Sequence, residues 1–333
     1  MKNGMRVLAL LAIFIIAAGA VFAGGNRQQS QSGTSSGAAA GTSTTPLQYR
    51  AAFITQAMSN ESQAFSWREF QRLAPQFGFR MTMFAGENEP AVEVAGIEQA
   101  IAERYNAIFI NPSSIESIIP AITRAKQAGI IVGMYSSLLP EEYQHLMDFF
   151  CGSDDFLGGQ QAGQFVSQNF PNGARFVEVG GQAGHDAQIK RHDGFRAGIS
   201  RNITILDSQN APTGWNTHEA QAIMEDFIVK YGNQIDGVWC HWDNGASGVI
   251  QALQNAGRTG VFVIGYDGNR TGYAQVRAGT QALSVGQSFT NMAYHSLNNA
   301  RTMLQGVSVP KINWIPVDMV TKQSIDSFPT PEW

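Results

Sequence analysis

The sequence predicts an α/β protein built as two similar lobes, each on a parallel sheet. Three observations carry that reading. From Leu47 onward, short apolar runs alternate with amphipathic stretches of about 12–17 residues. The runs are β-branched and apolar throughout, as strands covered on both faces must be. Ten such runs are also many for one sheet, and the rhythm breaks near Gly152, where "SSLLPEEYQHLMD" interrupts it and "CGSDDFLGGQQAG" restarts it.

The N-terminus is set apart from this pattern. Lys2 and Arg6 precede an apolar run of 16, "VLALLAIFIIAAGAVF". That is shorter than the roughly 20 residues a membrane-spanning helix needs. Val21 and Ala23 occupy the small-residue positions of a cleavage site, so residues 1–23 are expected to be a secretory signal peptide. No Cys lies near Ala23 to support lipid attachment. Residues 24–47 hold one charge and no aromatic residue. A segment of that composition cannot bury enough apolar surface to offset its ordering entropy, and is expected to be a flexible linker.

The expected strands then follow in order: "RAAFIT", "RMTMF", "AIFIN", "IIVGMY", "FFCGS", "ARFVEVG", "ITILDS", "GVWCHW", "VFVIGYD" and "ALSVGQ". Between them, "SQAFSWREFQRLAPQFG" and "GVIQALQNAG" read as helices that close on Gly, a C-cap signal. Strand–helix alternation of this kind calls for right-handed crossovers between parallel strands. "SFTNMAYHSLNNARTMLQG" reads as one more helix. "KINWIPVDMVT" reads as one more strand, with Pro316 restricting part of it to an edge or bend. Cys151 and Cys240 fall in separate sheets and are expected as buried free thiols.

Composition removes several functions. The 333 residues carry 22 Lys and Arg against 26 Asp and Glu, a net charge of -4, with no basic cluster to attract nucleic acid. There is no G-x-S-x-G, no phosphate-binding P-loop, no G-x-G-x-x-G after a strand and no metal-spaced Cys or His group. His185 and Asp186 adjoin, but no nucleophile accompanies them. No enzyme activity, cofactor or metal is implied.

In open α/β sheets, ligands bind outside the carboxyl ends of the strands. Those ends carry Gln56, Ser59 and Asn60, then Asn111, then Tyr135, Ser136 and Ser137, then His185 and Asp186. Later ends carry Trp215 and Asn216, then Trp242 and Asp243, then Asp267, then Gln287. Amides and carboxylates donate or accept in pairs, which matches vicinal hydroxyls, and indole faces suit the C–H face of a sugar ring. No Lys or Arg ends a strand, so an anionic ligand would lack a counter-charge. The set suits a neutral polyhydroxylated ligand. Asn111 either faces that ligand or starts the turn at Pro112, and Asp243 reads more readily as a helix cap than as a ligand group. Trp215 and Asp267 are the strongest binding candidates; the other reading of Asp267 is a cap for the turn through Gly268 and Asn269.

Taken together, "AIFINPSS", "CGSDDFLGGQQAG", "GGQAGHDAQIKRHDGFRAGI", "DGVWCHWDNGASGVIQALQNAG", "VFVIGYDG" and "ALSVGQS" resemble the type I periplasmic sugar-binding proteins, the ribose- and galactose-binding family of ABC importers. The resemblance covers about residues 48–325. It implies two Rossmann-like lobes joined by three hinge crossovers, near residues 152–153, 287–288 and 314–316. The lobes would be residues 48–152 plus 288–314, and residues 153–287 plus 315–333. It also implies sugar contacts at Asn60, Asn111, Trp215, Asp267 and Gln287, with His185 and Asp186 on a loop like that of glucose and galactose binders.

The chain departs from that family pattern at several positions. Glu61, Ser62 and Gln63 follow Asn60 where ribose binders have a Pro and two aromatics. Tyr135 and Ser136 stand where an Asp-Arg pair is expected, Trp242 replaces an Asn, and Ile189 replaces an Arg although Arg191 remains. Bulk and aromatic surface thus replace charge, which points away from plain ribose, glucose and galactose. The implied role is an exported, periplasmic binding protein that captures a neutral sugar or polyol and delivers it to an ABC permease. The alternative is a sensor that presents its closed form to a membrane receptor or kinase.

Overall fold

The structure, a computed structural model, describes residues 47–333. The expected signal peptide, and the linker up to residue 46, lie outside the described residues. The chain runs β1 (Tyr49–Thr55), α1 (Glu61–Leu73), β2 (Phe79–Ala85), α2 (Pro90–Ala102), β3 (Ala107–Asn111), α3 (Ile115–Gln127), β4 (Ile131–Tyr135) and β5 (Phe149–Ser153). It continues through α4 (Asp155–Asn169), β6 (Ala174–Gln182), α5 (Asp186–Gly198), β7 (Ile203–Ala211), α6 (Thr217–Tyr231), β8 (Gly237–Cys240), α7 (Asp243–Asn255), β9 (Phe262–Asp267), α8 (Arg270–Ala278) and β10 (Leu283–Gly286). It closes with α9 (Phe289–Leu304), β11 (Ile312–Ile315) and β12 (Asp318–Thr321).

These strands form two six-stranded sheets, ordered β11-β5-β4-β3-β1-β2 and β12-β10-β9-β8-β6-β7. All pairings are parallel except β10 with β12. The α/β, two-lobed reading of the sequence therefore holds. The chain passes between sheets after β5, between β10 and α9, and between β11 and β12. The apolar runs are central where they are uninterrupted: every residue of β3, β4, β5, β8 and β10 is buried. The edge strands β2 and β7 are partly exposed and correspondingly more polar.

One expected element is different. "KINWIPVDMVT" is two strands in two sheets, because Pro316 lies between Ile315 and Asp318 and has no N–H to extend a ladder. The segment is a crossover between lobes.

Each sheet is packed on both faces. In the first lobe, Phe53, Phe70 and Phe109 form a ring cluster with Tyr135. In the second, Phe195 stacks on Trp239 at 5.2 Å. Burying side chains of this size contributes roughly 1.5–3 kcal/mol each. α1 and its following turn end at Gly78, whose φ of +77° closes the helical run as a left-handed cap. α4 and α5 pack so closely that a Cβ on Gly194 would come within 2.0 Å of the Phe156 carbonyl oxygen. That approach holds α5, which carries Arg191, against the hinge end of the second lobe. Cys151 and Cys240 are buried free thiols, one in each sheet.

Candidate functional site

A cavity of about 320 Å³ lies between the lobes, at the carboxyl ends of both sheets. Strand register brings its groups together. Thr55 of β1 pairs with Asn111 of β3, so Gln56 and Asn111 emerge side by side. Gly286 of β10 pairs with Asp267 of β9, so Gln287 meets Asp267.

Of the residues expected at the site, Asn60, Asn111, Ser136, His185, Arg191, Trp215, Trp242, Asp267 and Gln287 line this cavity. Tyr135 and Asp186 do not. The Tyr135 ring is fully buried in the first-lobe core, and its hydroxyl donates to Ser66 Oγ at 2.8 Å. Alternation along β4 turns it away from the cleft. Asp186 faces the other lobe instead: its Oδ2 accepts from Leu138 N at 3.0 Å and from Lys190 Nζ at 2.8 Å. It joins the lobes beside the cavity. Asn244, whose Nδ2 donates to Glu61 Oε2 at 2.9 Å, makes a second direct tie.

Most of the polar groups are already oriented by the protein. Asn60 caps α1 by accepting from Ser62 N, which leaves its Nδ2 donors for a ligand. Asn111 Oδ1 accepts from Ser137 Oγ at 2.8 Å. His185 caps α5 by accepting from Ala187 N at Nδ1, so its ring proton sits on Nε2, where Ser137 Oγ can accept it at 3.5 Å. Burial, followed by the charges of Arg191 and Lys190, pushes His185 down to about 3, and it stays neutral.

Arg191 is the one Lys or Arg among the lining residues, and its charge is compensated. Its Nε donates to Asp155 at 2.7 Å and its Nη1 to the His241 carbonyl at 2.5 Å. Its guanidinium lies 3.7 Å from the Tyr266 ring centroid. Asp267 stands 3.8 Å from Nη1 and accepts from Gln287 Nε2 at 2.9 Å. Burial raises the Asp267 carboxyl to about 8 despite Arg191, with Asp243 adding to the rise. A carboxyl so placed needs further donors in order to ionise. Asp243 has a different task. It is the first residue of α7, fully buried, and it accepts from Gly268 N, Asn269 N, Ser284 Oγ and Gln281 Nε2. It pins the turn that follows Asp267.

Two indoles form the apolar wall. Trp215 and Trp242 meet edge to face at 5.7 Å. Glycines make room for both. A Cβ on Gly181 would come within 2.1 Å of the Trp215 ring, and one on Gly245 within 2.4 Å of the Trp242 ring. Gln56 Oε1, Gln287 Oε1 and both indole N–H groups are buried without a protein partner. The cavity is thus lined mostly by neutral polar side chains beside two indoles, and its one guanidinium is compensated by Asp155.

Gln56, Ser59 and Asn216, which also stand at strand ends, line the cavity, whereas Ser137 and Asp243 do not. Asn88, Phe289 and Trp333 line it too and carried no signal in the sequence. Asn88 lies in a loop after an edge strand, and Trp333 comes from a segment remote in sequence.

A family model described as "Periplasmic binding protein domain" matches residues 51–308. The chain belongs to that family. The ribose import binding protein of Escherichia coli (strain K12) is 26% identical over 256 residues, covering 76% of this chain and 84% of that protein. The xylitol-binding protein of Mycolicibacterium smegmatis is 26% identical over 246 residues, covering 73% and 68%. Among solved structures, a galactofuranose binding protein superposes with a TM-score of 0.79 at 22% identity, covering 84% of this chain and 97% of that one. At that identity the likeness shows the fold. These relatives are binding proteins, and the two-lobe architecture is that of periplasmic binding proteins.

Proposed function

We propose that this periplasmic binding protein captures a neutral sugar or polyol in the cavity between its lobes and delivers it to an ABC importer. The observation that carries the reading is the neutral polar lining of Asn60, Asn111, Ser136 and Gln287 around Asp267, beside Trp215 and Trp242, with Arg191 already neutralised by Asp155. A phosphate or carboxylate would find no free counter-charge there. Hydroxyl groups would supply what Asp267 lacks, and hydrogen bonds to a charged group contribute about 1.5–3 kcal/mol each. Relatives named for ribose and xylitol and a fold neighbour named for galactofuranose favour the same ligand class. Export is supported by the short apolar run before Ala23 and by the family's periplasmic setting.

The mechanism would be closure. A ligand that touches Asn111 in one lobe and Asp267 in the other favours the closed arrangement by its differential contacts. A thermal-shift screen of sugars and polyols tests the reading, since a ligand at about 100 times its Kd adds ~2.7 kcal/mol of stability. Silence toward every sugar and polyol, with a response to an amino acid, would overturn it.

A further inference from the structure

By chain order Trp333 belongs with the second lobe, since it follows β12. Its ring nevertheless packs on the core of the first. It stacks on Phe65 at 6.2 Å and 19°, and meets Phe289 edge-on at 5.7 Å. Its carbonyl accepts from Arg270 N, at the start of α8 in the second lobe, at 2.5 Å. Glu332 holds the crossover between β10 and α9: it accepts from Ser288 Oγ at 2.5 Å and from Thr290 N at 3.1 Å. Two adjacent residues therefore touch both lobes and the hinge between them.

The position matters because of what α1 lacks. Its first turn offers the cavity Glu61, Ser62 and Gln63, and no residue from β1 to β4 that lines the cavity is aromatic. Trp215 and Trp242 both come from the second lobe and pack on its core. The aromatic surface on the first-lobe side is supplied by Phe289 and Trp333.

We propose that residues 329–333 form a strap that ties the two lobes at the hinge and presents Trp333 as the third indole wall of the ligand cavity. A flat apolar face of the ligand would then be covered from both lobes, which selects for cyclic sugars or polyols that expose C–H surface. The ligand contact rests on the sugar or polyol reading; the strap does not.

Two measurements on the same full chain separate them. Without ligand, amide hydrogen exchange of Arg270 and Thr290 reports the strap, because Trp333 and Glu332 hold those N–H groups. Trp333→Ala should speed exchange at both by at least about tenfold, one decade of opening equilibrium, and leave the Val132 amide unchanged, which Asp148 holds. Equal exchange at Arg270 and Thr290 in parent and variant would overturn the strap. Calorimetric titration with D-ribose, D-xylose, xylitol and myo-inositol reports the wall. A probe that binds the parent should bind Trp333→Ala at least about fivefold more weakly and recover to within about twofold in Trp333→Phe. Unchanged affinity in Trp333→Ala would overturn the wall. A parent that ignores all four probes contradicts the sugar or polyol reading and the wall with it, while the exchange rates still decide the strap.

Discussion

Gln287 Nε2 donates to Asp267 Oδ1 across 2.9 Å, which links the hinge between β10 and α9 to the strand end at the centre of the cavity. This is the strongest protein donor that the Asp267 carboxyl has. Arg191, at 3.8 Å, gives charge without a hydrogen bond. Burial therefore dominates, and the carboxyl titrates near 8 instead of its ordinary 3.8.

That displacement makes stability depend on pH with a definite sign. The folded protein holds a proton on Asp267 that the unfolded chain loses near pH 3.8. The contribution is complete below that value and is lost as pH rises through about 8. Asp267→Asn removes it. The melting temperature of the ligand-free parent should fall more between pH 5 and pH 8 than that of the variant. Asp243, raised to about 6, and His185, lowered to about 3, titrate in both proteins, so the difference between the two curves reports Asp267 together with its coupling to Asp243. Parallel curves would contradict the assignment.

Backbone geometry at the same residue gives a second prediction. Asp267 has a φ of +123°, where a residue with a side chain is strained by about 1–3 kcal/mol. Glycine accepts that geometry, at about 0.5–1 kcal/mol of extra chain entropy. Asp267→Gly should melt no lower than the parent at neutral pH, yet bind ligand at least about tenfold more weakly. Early melting would show that the side chain supports the turn rather than the ligand.

Gly181 separates packing from binding. Gly181→Ala drives a methyl group into the Trp215 ring, and the indole can only move toward the cavity or out of it. Overpacking of this kind costs about 1–3 kcal/mol. The expected outcome is a folded protein with a changed Trp emission and weaker ligand binding. Parent-like emission and affinity would remove Trp215 from the wall.

Asp186 tests the direct contact between lobes. Its bond to Leu138 N joins them without any ligand. Asp186→Ala should shift the ligand-free protein toward the open arrangement, seen as a larger radius of gyration in small-angle scattering, and saturating ligand should restore the parent value. No change without ligand would mean the bond adds nothing to closure.

The legible part of this protein was its periodicity. Ten apolar runs became strands because central parallel strands are buried on both faces, and strand ends were readable as site positions because parallel sheets align them. Eight of the expected residues that line the cavity follow from that rule, and Arg191, inside α5, came instead from the family resemblance. Tyr135 escaped it because a strand's last residue points to either face, and here the core took the ring. Asp186 escaped because the first residue of a helix beside a ligand group can equally face the other lobe. The split of "KINWIPVDMVT" was not in its periodicity, where Pro316 reads as an edge or a bend equally well; the crossover near residues 314–316 came from the family resemblance. Trp333 was out of reach because nothing local ties residues 329–333 to Phe65 and Phe289.

The central claim is that a neutral polyhydroxylated ligand is held between the lobes through Asp267. Isothermal titration of the parent and Asp267→Asn with a panel of pentoses, hexoses and polyols at pH 7 tests it most directly. The account predicts that at least one such compound binds the parent, and that Asp267→Asn binds it at least tenfold more weakly, a difference of about 1.4 kcal/mol, while melting within a few degrees of the parent in the absence of ligand. Equal affinity in the two proteins, or binding confined to an anion or an amino acid, would contradict it.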